Sequence, residues 1–463
     1  MQDKVLARAA ELAGAWLGSL RDRPVGIPMG PAGLRERLGE PLGDMGQDPA
    51  DLIAHLAGAL EPGLVATAGP RYFGFVNGGT LPAALAADWL VSAFDQNAAL
   101  YVMSPAAAVV EEITAGWLLD LLGLPPQAAV GFVTGGQMAN FSCLAAARHA
   151  LLAAARWDVE ADGLQGAPEL TVVVGEQAHV TVLQALRLLG LGASRARRVA
   201  ADDQGRIIAA GLRQVLAGTD GPVLVCAQAG EVNTGATDPL REIAAAVSAH
   251  GRAWLHVDGA FGLWAAASPA QRFLVAGAEL ADSWAADAHK WLNVPYDCGL
   301  AIVRDPAALG AAQGKNAAYL PASDVRDPFN FTPEASRRAR ALPVYAALRS
   351  LGRRGVAELI DRCCALARLA AAELANGGTA ELLNDVVLNQ VLFRVPGVDP
   401  APVLERVQRD GTCWLGGTSW HGEPAIRFSV SNWSTTEDDI RRSAAAIQAA
   451  IRAAREDRAP FPD

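Results

Sequence analysis

The chain contains few of the patterns that mark secreted, metal-binding or membrane proteins. Its six cysteines are scattered through 463 residues, apart from the adjacent pair Cys363 and Cys364. Neither a disulfide framework nor the ligand spacing of a metal site is present, which favours a reducing cytoplasm and no metal. Apolar runs such as 83–90 are too short to span a bilayer, and the N-terminus lacks a signal-type apolar core. We therefore expect a soluble cytoplasmic protein that does not insert into membranes.

Basic residues are outnumbered by acidic ones. Lys and Arg total 39 against 49 Asp and Glu, which gives a formal net charge of −10. This balance argues against nucleic acid or an anionic membrane as a partner. Hydrophobic residues make up 51% of the chain and charged residues 19%, as in a globular protein with a large core. The length is sufficient for two domains or more.

Apolar segments with the length of buried strands recur through the middle of the chain, at 130–133, 170–174, 223–227, 253–257 and 299–303. Helical stretches separate them, so we expect crossover connections and a largely parallel sheet. The pattern predicts an α/β fold in which a mostly parallel sheet is flanked by helices.

The chain is expected to form three parts. Residues 1–69 are predicted to form two or three helices between Pro- and Gly-rich connections, and such helices cannot bury their apolar faces alone. Residues 70–335 contain the alternating strands and helices of a large domain. Residues 336–463 begin with helix, continue with short strands at 386–395 and 425–430, and end in helix. This last part is predicted to be a small α+β domain.

Lys290 is the one lysine of the segment 280–302, LADSWAADAHKWLNVPYDCGLAI. Burying a lysine among apolar residues is costly unless the lysine is paired or neutral. A desolvated lysine loses its proton readily and then attacks aldehydes. The alternative is a lysine whose stem lies flat while its ammonium group reaches solvent. The segment alone leaves both interpretations open.

Asp258 ends a second apolar segment, RAWLHVDGAFG at 252–262. A carboxylate at the end of a buried strand needs a cationic partner. One cofactor requires both residue types, because pyridoxal phosphate bonds to a lysine through its aldehyde carbon and to an acid through its ring nitrogen. Asp258 and Lys290 together therefore indicate a pyridoxal-phosphate site.

The segments HVDGAFG and DAHKWLNVPYDCG resemble those of the group II pyridoxal-phosphate-dependent amino-acid decarboxylases, the family of aromatic L-amino-acid decarboxylase. The resemblance implies an aspartate-aminotransferase-like fold and a homodimer with its active sites at the interface, embraced by the N-terminal helices. It also implies that Lys290 holds the cofactor as an internal aldimine and that Asp258 keeps the ring nitrogen protonated. The expected reaction is the decarboxylation of an L-amino acid.

A glycine turn precedes a helix in GFVTGGQMANFSCLAAAR, at 131–148. Amides at a helix start bind phosphate, although a TGG sequence alone is more often only a tight turn. The family resemblance assigns the cofactor phosphate to Gly135, Gly136 and Gln137. It also implies that His289 reaches the phosphate, with Asp287 nearby. The alternative for His289 is a structural hydrogen bond beside the lysine.

His179 follows the strand at 170–174 and precedes a helix, where a lone histidine is more often a cap or a core residue. The resemblance implies that it lies flat on the pyridine ring, with Ala260 on the opposite face. Relatives place two threonines at the cofactor edge, where this chain has Glu231 and Val232. Asn233 is expected to replace that contact.

The segment PRYFGFVNGGTLPAALAADWL at 70–90 matches one that lines the substrate pocket in relatives, although it can also be a glycine-rich turn before a helix. The match predicts a moderately apolar pocket lined by Phe75, Val76 and Asn77. Asn97 lies in FDQNAALYVM, at 94–103, which in relatives reaches the active site across the dimer interface. Arg427 is expected either to bind a substrate carboxylate or to form a structural ion pair.

Relatives carry a mobile loop with a tyrosine that protonates the α-carbon after carbon dioxide leaves. Counting back from Arg337 and Arg338 without gaps, that position falls near Pro328, in a run without tyrosine. We expect 323–334 to form the lid. The missing phenol leaves a carbon–carbon lyase, an aldehyde synthase or an aminotransferase-like enzyme open beside the decarboxylase. A non-catalytic pyridoxal-phosphate-binding protein would be damaged at the lysine or the aspartate, and both are intact.

Overall fold

The computed structural model describes residues 2–26, 29–315 and 325–457. The chain divides into two compact units. The first draws on Met1–Gly79, Leu366–Leu383 and Val391–Asp463, and the second on Thr80–Ala365 and Asn384–Gln390. The boundaries of the three parts expected from the sequence stay a prediction. Across the described residues, no helix combines the length and the apolar character that a bilayer span requires.

The helices of the described residues are α1 Gln2–Ser19, α2 Pro31–Leu38, α3 Pro49–Leu60, α4 Pro82–Phe94, α5 Pro105–Leu121, α6 Gly136–Ala154, α7 Val159–Asp162, α8 Val180–Leu188, α9 Ala209–Ala217, α10 Leu240–His250, α11 Pro306–Gln313, α12 Ala341–Ala375, α13 Pro400–Asp410 and α14 Glu437–Glu456. Several begin with a proline in the first turn, where the missing N–H is not needed. The backbone of α12 departs from helical geometry at Gly352.

The strands of the described residues are β1 Ala129–Val133, β2 Thr171–Gly175, β3 Arg197–Val199, β4 Val223–Gln228, β5 Ala253–Asp258, β6 Ser283–Asp287, β7 Gly299–Val303, β8 Glu381–Leu382, β9 Gln390–Arg394, β10 Gly416–Trp420 and β11 Glu423–Ser429. All five strands predicted in the middle of the chain are present. Two further strands there, β3 and β6, were not expected.

The second unit is built on a sheet that, among the described residues, has seven strands in the order β1-β7-β6-β5-β4-β2-β3. Strand β7 runs antiparallel to both of its neighbours, and the other pairs are parallel. The prediction of an α/β fold with a mostly parallel sheet is therefore confirmed. Every residue of β1, β2, β4, β6 and β7 is buried, as expected for strands covered by helices on both faces.

The strand directions bring several strand ends to one edge of the sheet. Because β7 is antiparallel to β1 and to β6, strand β1 points the same way as β6, β5, β4 and β2. The carboxyl ends of these five strands therefore share an edge, which is where open α/β sheets bind ligands.

The first unit contains α1 to α3, α13 and α14, and among the described residues a four-stranded sheet in the order β10-β11-β9-β8. The last helix begins with a capping box, since the Thr436 hydroxyl accepts the Asp439 N–H while the Asp439 carboxylate accepts the Thr436 N–H. Aromatic rings stack in this unit, with Trp414 between Tyr72 and Phe75 at centroid distances of 4.9 and 5.4 Å.

A buried ion pair supports the second unit. Glu111 of α5 binds Arg337 Nη1 through Oε2 at 2.8 Å and Arg326 Nη1 through Oε1 at 3.1 Å. Arg337 Nη2 also donates to the Phe132 carbonyl of β1 at 2.9 Å. The Glu111 and Arg337 side chains are almost fully excluded from solvent. The contact therefore connects α5, the sheet and the segment before α12.

Arg337→Met should destabilise the protein strongly, because Glu111 would lose one of two cations at a buried site. Removing one partner of a buried pair costs about 3–5 kcal/mol, and because Arg326 remains, the expected loss is about 3 kcal/mol. Arg338→Met is the matched control. Arg338 pairs with Asp88 at a partly exposed site, so less than about 1 kcal/mol is expected. Urea unfolding compares the two, and equal losses would contradict the assignment.

Candidate active site

The shared edge of the sheet collects most of the predicted site residues of the second unit. Gly135 follows β1, His179 follows β2, Asp258 ends β5, and Lys290 lies just after β6. Asp258 is in register with Ala285 of the neighbouring β6. Residues far apart in sequence thus meet because the strand ends are neighbours in the sheet.

Lys290 lies in the connection 288–298 between the adjacent strands β6 and β7. Its Nζ is 2.9 Å from Asp287 Oδ2, and its side chain is 21% exposed against 2% for Asp287. The base of the connection is closed, since the N–H groups of Ala288 and His289 both donate to the Cys298 carbonyl. Lys290 is therefore neither buried without a partner nor extended into solvent, because an ion pair holds its ammonium group at the sheet edge.

His289 combines a structural hydrogen bond with a position beside Asp287. Its Nδ1 accepts the Cys298 N–H at 3.1 Å, and its Nε2 lies 3.5 Å from Asp287 Oδ1. Burial lowers the pKa of His289, while Asp287 opposes this effect and Lys290 adds to it. The Tyr296 ring lies 4.6 Å away, and desolvation raises the pKa of Tyr296 to about 12. The structural alternative for His289 is thus present, and its predicted phosphate contact stays a prediction.

The glycine turn lies directly against Asp287 and His289. A Cβ atom on Gly136 would come within 2.7 Å of Asp287 Oδ2, and one on Gly135 within 3.0 Å of His289 Cε1. Helix α6 begins at Gly136 and has no side-chain cap. The first N–H groups of a helix have no intrahelical acceptor, so this terminus suits an anion. The Gln137 side chain is exposed.

Asp258 is a buried carboxylate, 5% exposed, that is bound by neutral donors. Its Oδ2 accepts the Asn140 Nδ2–H at 3.0 Å, and its Oδ1 accepts the Ala260 N–H at 3.2 Å. Within the part of the chain that the structure describes, it forms no ion pair. The Ala260 carbonyl accepts the Asp287 N–H at 2.8 Å, which joins the ends of β5 and β6.

His179 caps α8, as the structural interpretation of its position predicted. Its Nδ1 accepts the Thr181 N–H at 3.3 Å and lies 2.8 Å from Thr181 Oγ1. Thr181 Oγ1 also accepts the second Nδ2–H of Asn140 at 3.2 Å. The cap fixes where the ring stands, and the predicted stacking on a cofactor stays a prediction.

A polar chain that the sequence interpretation missed continues behind Asp258. His256 Nε2 lies 2.8 Å from Asn140 Oδ1, and His256 Nδ1 lies 2.9 Å from Ser283 Oγ. Trp254 Nε1 donates to the same Ser283 oxygen at 2.8 Å. A signal existed, because a histidine inside an apolar strand and an asparagine on a buried helix face both need polar partners.

Asn233 forms hydrogen bonds within its own turn. Its N–H and its Nδ2 donate to the two oxygens of Glu231 at 2.7 and 3.0 Å, and the Thr234 N–H donates there as well. Burial raises the pKa of Glu231, and these hydrogen bonds oppose the rise. The contact of Asn233 with a cofactor edge stays a prediction.

The predicted pocket residues belong to both units. Asn97, in the second unit, ties two segments together, because its Oδ1 accepts the N–H groups of Ala99 and Arg337 while its Nδ2 donates to Ser336. The others lie in the first unit, namely Phe75, Val76, Asn77 and Arg427. Phe75 is 61% exposed and Val76 is buried, so Val76 presents little side chain to a ligand there.

The predicted lid is only partly described, since Tyr319, Ser323 and the residues around them lie outside the described part. Residues 325–334 are described, and two hydrogen bonds connect them to the segment after α4. The Phe329 N–H donates to the Ala99 carbonyl at 2.9 Å, and Asp327 Oδ1 accepts the Tyr101 N–H at 2.8 Å. Pro328 is buried. These contacts tie 325–334 to the segment after α4, and the expectation that 323–334 forms a lid stays a prediction.

These residues fit pyridoxal phosphate. The buried, unpaired Asp258 carboxylate suits a protonated ring nitrogen, and the uncapped start of α6 suits a phosphate. Asp287 Oδ1 is buried without a hydrogen-bond donor among the described residues, so this oxygen can accept a further hydrogen bond beside the glycine turn. Lys290 supplies the amine that an aldehyde requires.

Comparisons with known proteins agree with this fit. The model of the pyridoxal-dependent decarboxylase conserved domain matches residues 31–396. Aromatic-L-amino-acid decarboxylase of Bacillus atrophaeus is 29% identical over 452 residues, covering 94% of this chain and 92% of the relative. Cysteine sulfinic acid decarboxylase of Mus musculus is 30% identical over 405 residues and covers 81% of each. The Oryza sativa TDC structure with PLP and tryptamine has a TM-score of 0.89 at 24% identity, covering 97% of each chain.

Acidification should destabilise the protein through His256. Burial lowers the pKa of His256 from 6.5 to about 4, so between these values the unfolded chain binds a proton that the folded chain does not. Stability is then lost as pH falls from 6.5 through 4, by an amount on the order of 3 kcal/mol. His256→Gln should flatten this part of the pH–stability curve in urea unfolding. An unchanged slope would show that other groups cause the loss.

Proposed function

The chain belongs to the pyridoxal-dependent decarboxylase family, and on that premise we propose that it decarboxylates an L-amino acid, with Asp258 and Lys290 at the two reactive ends of the cofactor. Its relatives are named decarboxylases, and the chain is a pyridoxal-phosphate-dependent carboxy-lyase. The observation that carries the residue assignment is the buried Asp258 carboxylate, which has neutral donors and no cation among the described residues.

Each residue at the sheet edge then has a role. Bound pyridoxal phosphate supplies an aldehyde carbon and a protonated ring that withdraws electrons from the substrate. Asp258 would hold the proton on the ring nitrogen, and Lys290 would supply the amine for the aldehyde group. His179 and Ala260 would hold the two faces of the ring, and Asn233 would contact its edge. The phosphate would be held by the first turn of α6 and by His289, a contact set made of Gly135, Gly136, Gln137 and His289.

Lys290 must release a proton before its nitrogen can bond to carbon. Asp287 Oδ2, at 2.9 Å, is the acceptor in hydrogen-bond reach. The lowered pKa of His289 keeps that ring neutral, so it adds no positive charge beside the lysine. Asp287 thus stabilises the ammonium form of Lys290 and can accept the proton that Lys290 releases.

The side chain of the substrate is proposed to be aromatic or aliphatic. Phe75 presents an exposed ring on the stack with Trp414 and Tyr72, which favours apolar contacts over charged ones. The relatives act on different amino acids by their names, one aromatic and one a sulfinic acid, so the substrate is not transferred from either.

A panel of L-amino acids with trapping of carbon dioxide tests the proposal. We expect release with an aromatic or aliphatic member and a loss of about 10²–10⁴-fold or more in Lys290→Ala, as for a group at the reacting atoms. Borohydride reduction followed by peptide mapping should label Lys290. Lys315 is the internal control, because its Nζ donates to the carbonyls of Gln313, Phe329 and Thr332. A label on Lys315, or none, would refute the assignment.

An alternative proposal is a reaction that uses the same cofactor but forms a different product. The described segment 325–334 contains no tyrosine to return a proton to the α-carbon, which favours an aldehyde synthase, a carbon–carbon lyase or an aminotransferase-like reaction. Measuring amine, ammonia and peroxide in the same assay separates the outcomes. Stoichiometric amine and carbon dioxide would leave simple decarboxylation. A non-catalytic binding protein would release none of these products.

The active unit is proposed to be a homodimer in the cytoplasm. Six free cysteines agree with a reducing compartment. Large apolar side chains are exposed along α4 and at the following connection and helix, a set made of Trp89, Leu90, Phe94, Val102, Met103, Val109 and Ile113. Such a surface is typical of an interface between copies of one chain.

Phe94→Asp should therefore weaken self-association, because it places a charge in the exposed apolar set. Light scattering at assay concentration is expected to report a dimer for the wild-type chain, with an interface above about 2,000 Å², and a smaller species for the variant. Phe273→Asp is the matched control, since Phe273 is exposed outside that set. A fully active wild-type monomer would exclude the dimer.

A further inference from the structure

Asn140 is a fully buried amide on α6 whose side chain uses every polar group it has. Its Nδ2 donates to Asp258 Oδ2 at 3.0 Å and to Thr181 Oγ1 at 3.2 Å. Its Oδ1 lies 2.8 Å from His256 Nε2. An asparagine side chain has two donor hydrogens and one acceptor oxygen, and all three are engaged. Asn140 is therefore a junction between three polar side chains.

The first branch of the network runs from Asp258 through Asn140 to His256, and Asp258 determines the direction of its hydrogen bonds. A carboxylate only accepts hydrogen bonds, so Asn140 must turn its NH₂ toward Asp258 and its oxygen toward His256. His256 Nε2 then carries the proton, which leaves Nδ1 of the neutral ring to accept the Ser283 hydroxyl. The Ser283 oxygen accepts from Trp254, a residue that can only donate. Each donor thus points along the chain toward the Asp258 carboxylate.

The second branch of the network runs from Asn140 through Thr181 to His179. Because Thr181 Oγ1 accepts from Asn140, its own hydrogen is directed at His179 Nδ1, 2.8 Å away. The Thr181 N–H donates to the same nitrogen. His179 Nδ1 is therefore an acceptor, and the ring proton sits on Nε2. Two contacts hold the ring, and one of them, the Thr181 hydroxyl, is oriented by Asn140.

We propose that Asn140 is a positioning residue that couples Asp258 to His179, so that the group at the cofactor ring nitrogen and the group at the ring face are oriented by one amide. The inference rests on the proposed function, because it assigns both residues to the cofactor. Asn140 itself touches neither substrate nor cofactor in this scheme. Its effect passes through hydrogen bonds, and loss of the amide should disturb both ends of the network at once.

Three single variants of the holoenzyme, and the double variant Asn140→Ala with Thr181→Val, test the coupling. Asn140→Ala removes the junction, and Thr181→Val removes the hydroxyl that links Asn140 to His179 while keeping the backbone N–H contact with His179. Ser142→Ala is the matched control, because Ser142 is buried on the same helix and its hydroxyl has no hydrogen-bond partner among the described residues. The measurements are the pyridoxal-phosphate dissociation constant, the visible circular dichroism of the bound cofactor, and kcat and KM.

Asn140→Ala should raise the dissociation constant about tenfold, as for one lost hydrogen bond to a charged group. It should also reduce the cofactor's circular dichroism and lower kcat while leaving KM within about twofold, since the substrate does not contact Asn140. Thr181→Val should reduce the circular dichroism with a smaller change in affinity. The double variant should resemble Asn140→Ala, because coupled residues are not additive. Ser142→Ala should match wild type.

The coupling is overturned if Asn140→Ala binds the cofactor with the affinity and circular dichroism of Ser142→Ala. If Asn140→Ala does not fold, Thr181→Val decides, and an unchanged circular dichroism in that variant overturns the second branch and with it the coupling. Failure of the proposed function looks different, because wild-type protein would then bind no pyridoxal phosphate or carry the borohydride label elsewhere than Lys290.

Discussion

Asp258 ends its strand as a carboxylate in the interior, with two N–H donors and no cation among the described residues. Burying an ion costs several kcal/mol even after relaxation, and neutral donors recover only part of that cost. The remainder is recovered when a cation binds, which links the stability of this edge to its ligand. The orientation of Asn140, and through it of His256, follows from the same carboxylate.

Much of the large sheet could be predicted because buried parallel strands form short, wholly apolar runs. Strand β6 was missed because it begins with Ser283 and ends with Asp287, so its apolar run is only three residues long. Strand β3 was missed because two of its three residues are exposed arginines. The antiparallel direction of β7 follows once β6 is known, since the connection 288–298 is short for a parallel crossover.

Within the site, Asp258, Lys290 and the glycine turn could be predicted because each departs from its apolar surroundings or matches a family segment. The ion pair of Lys290 with Asp287 could not, because the sequence of a connection does not reveal which way two side chains three positions apart turn. Asn140 and His256 were missed for a different reason. Both occupy positions that periodicity assigns to the core, and their polarity has meaning only once the partner strands are placed.

The connection that carries Lys290 is closed at its base, where Asp287 faces Gly299 and two N–H groups share the Cys298 carbonyl. Because the loop is closed in this way, only a few loop lengths allow β6 and β7 to keep their register. Inserting or deleting a residue between 288 and 298 would shift either the lysine or the pairing of β7, and a one-residue slip turns every side chain of a strand to the other face. Natural variation in chain length is therefore expected to fall elsewhere, and a designer transplanting this lysine would have to carry both strands with it.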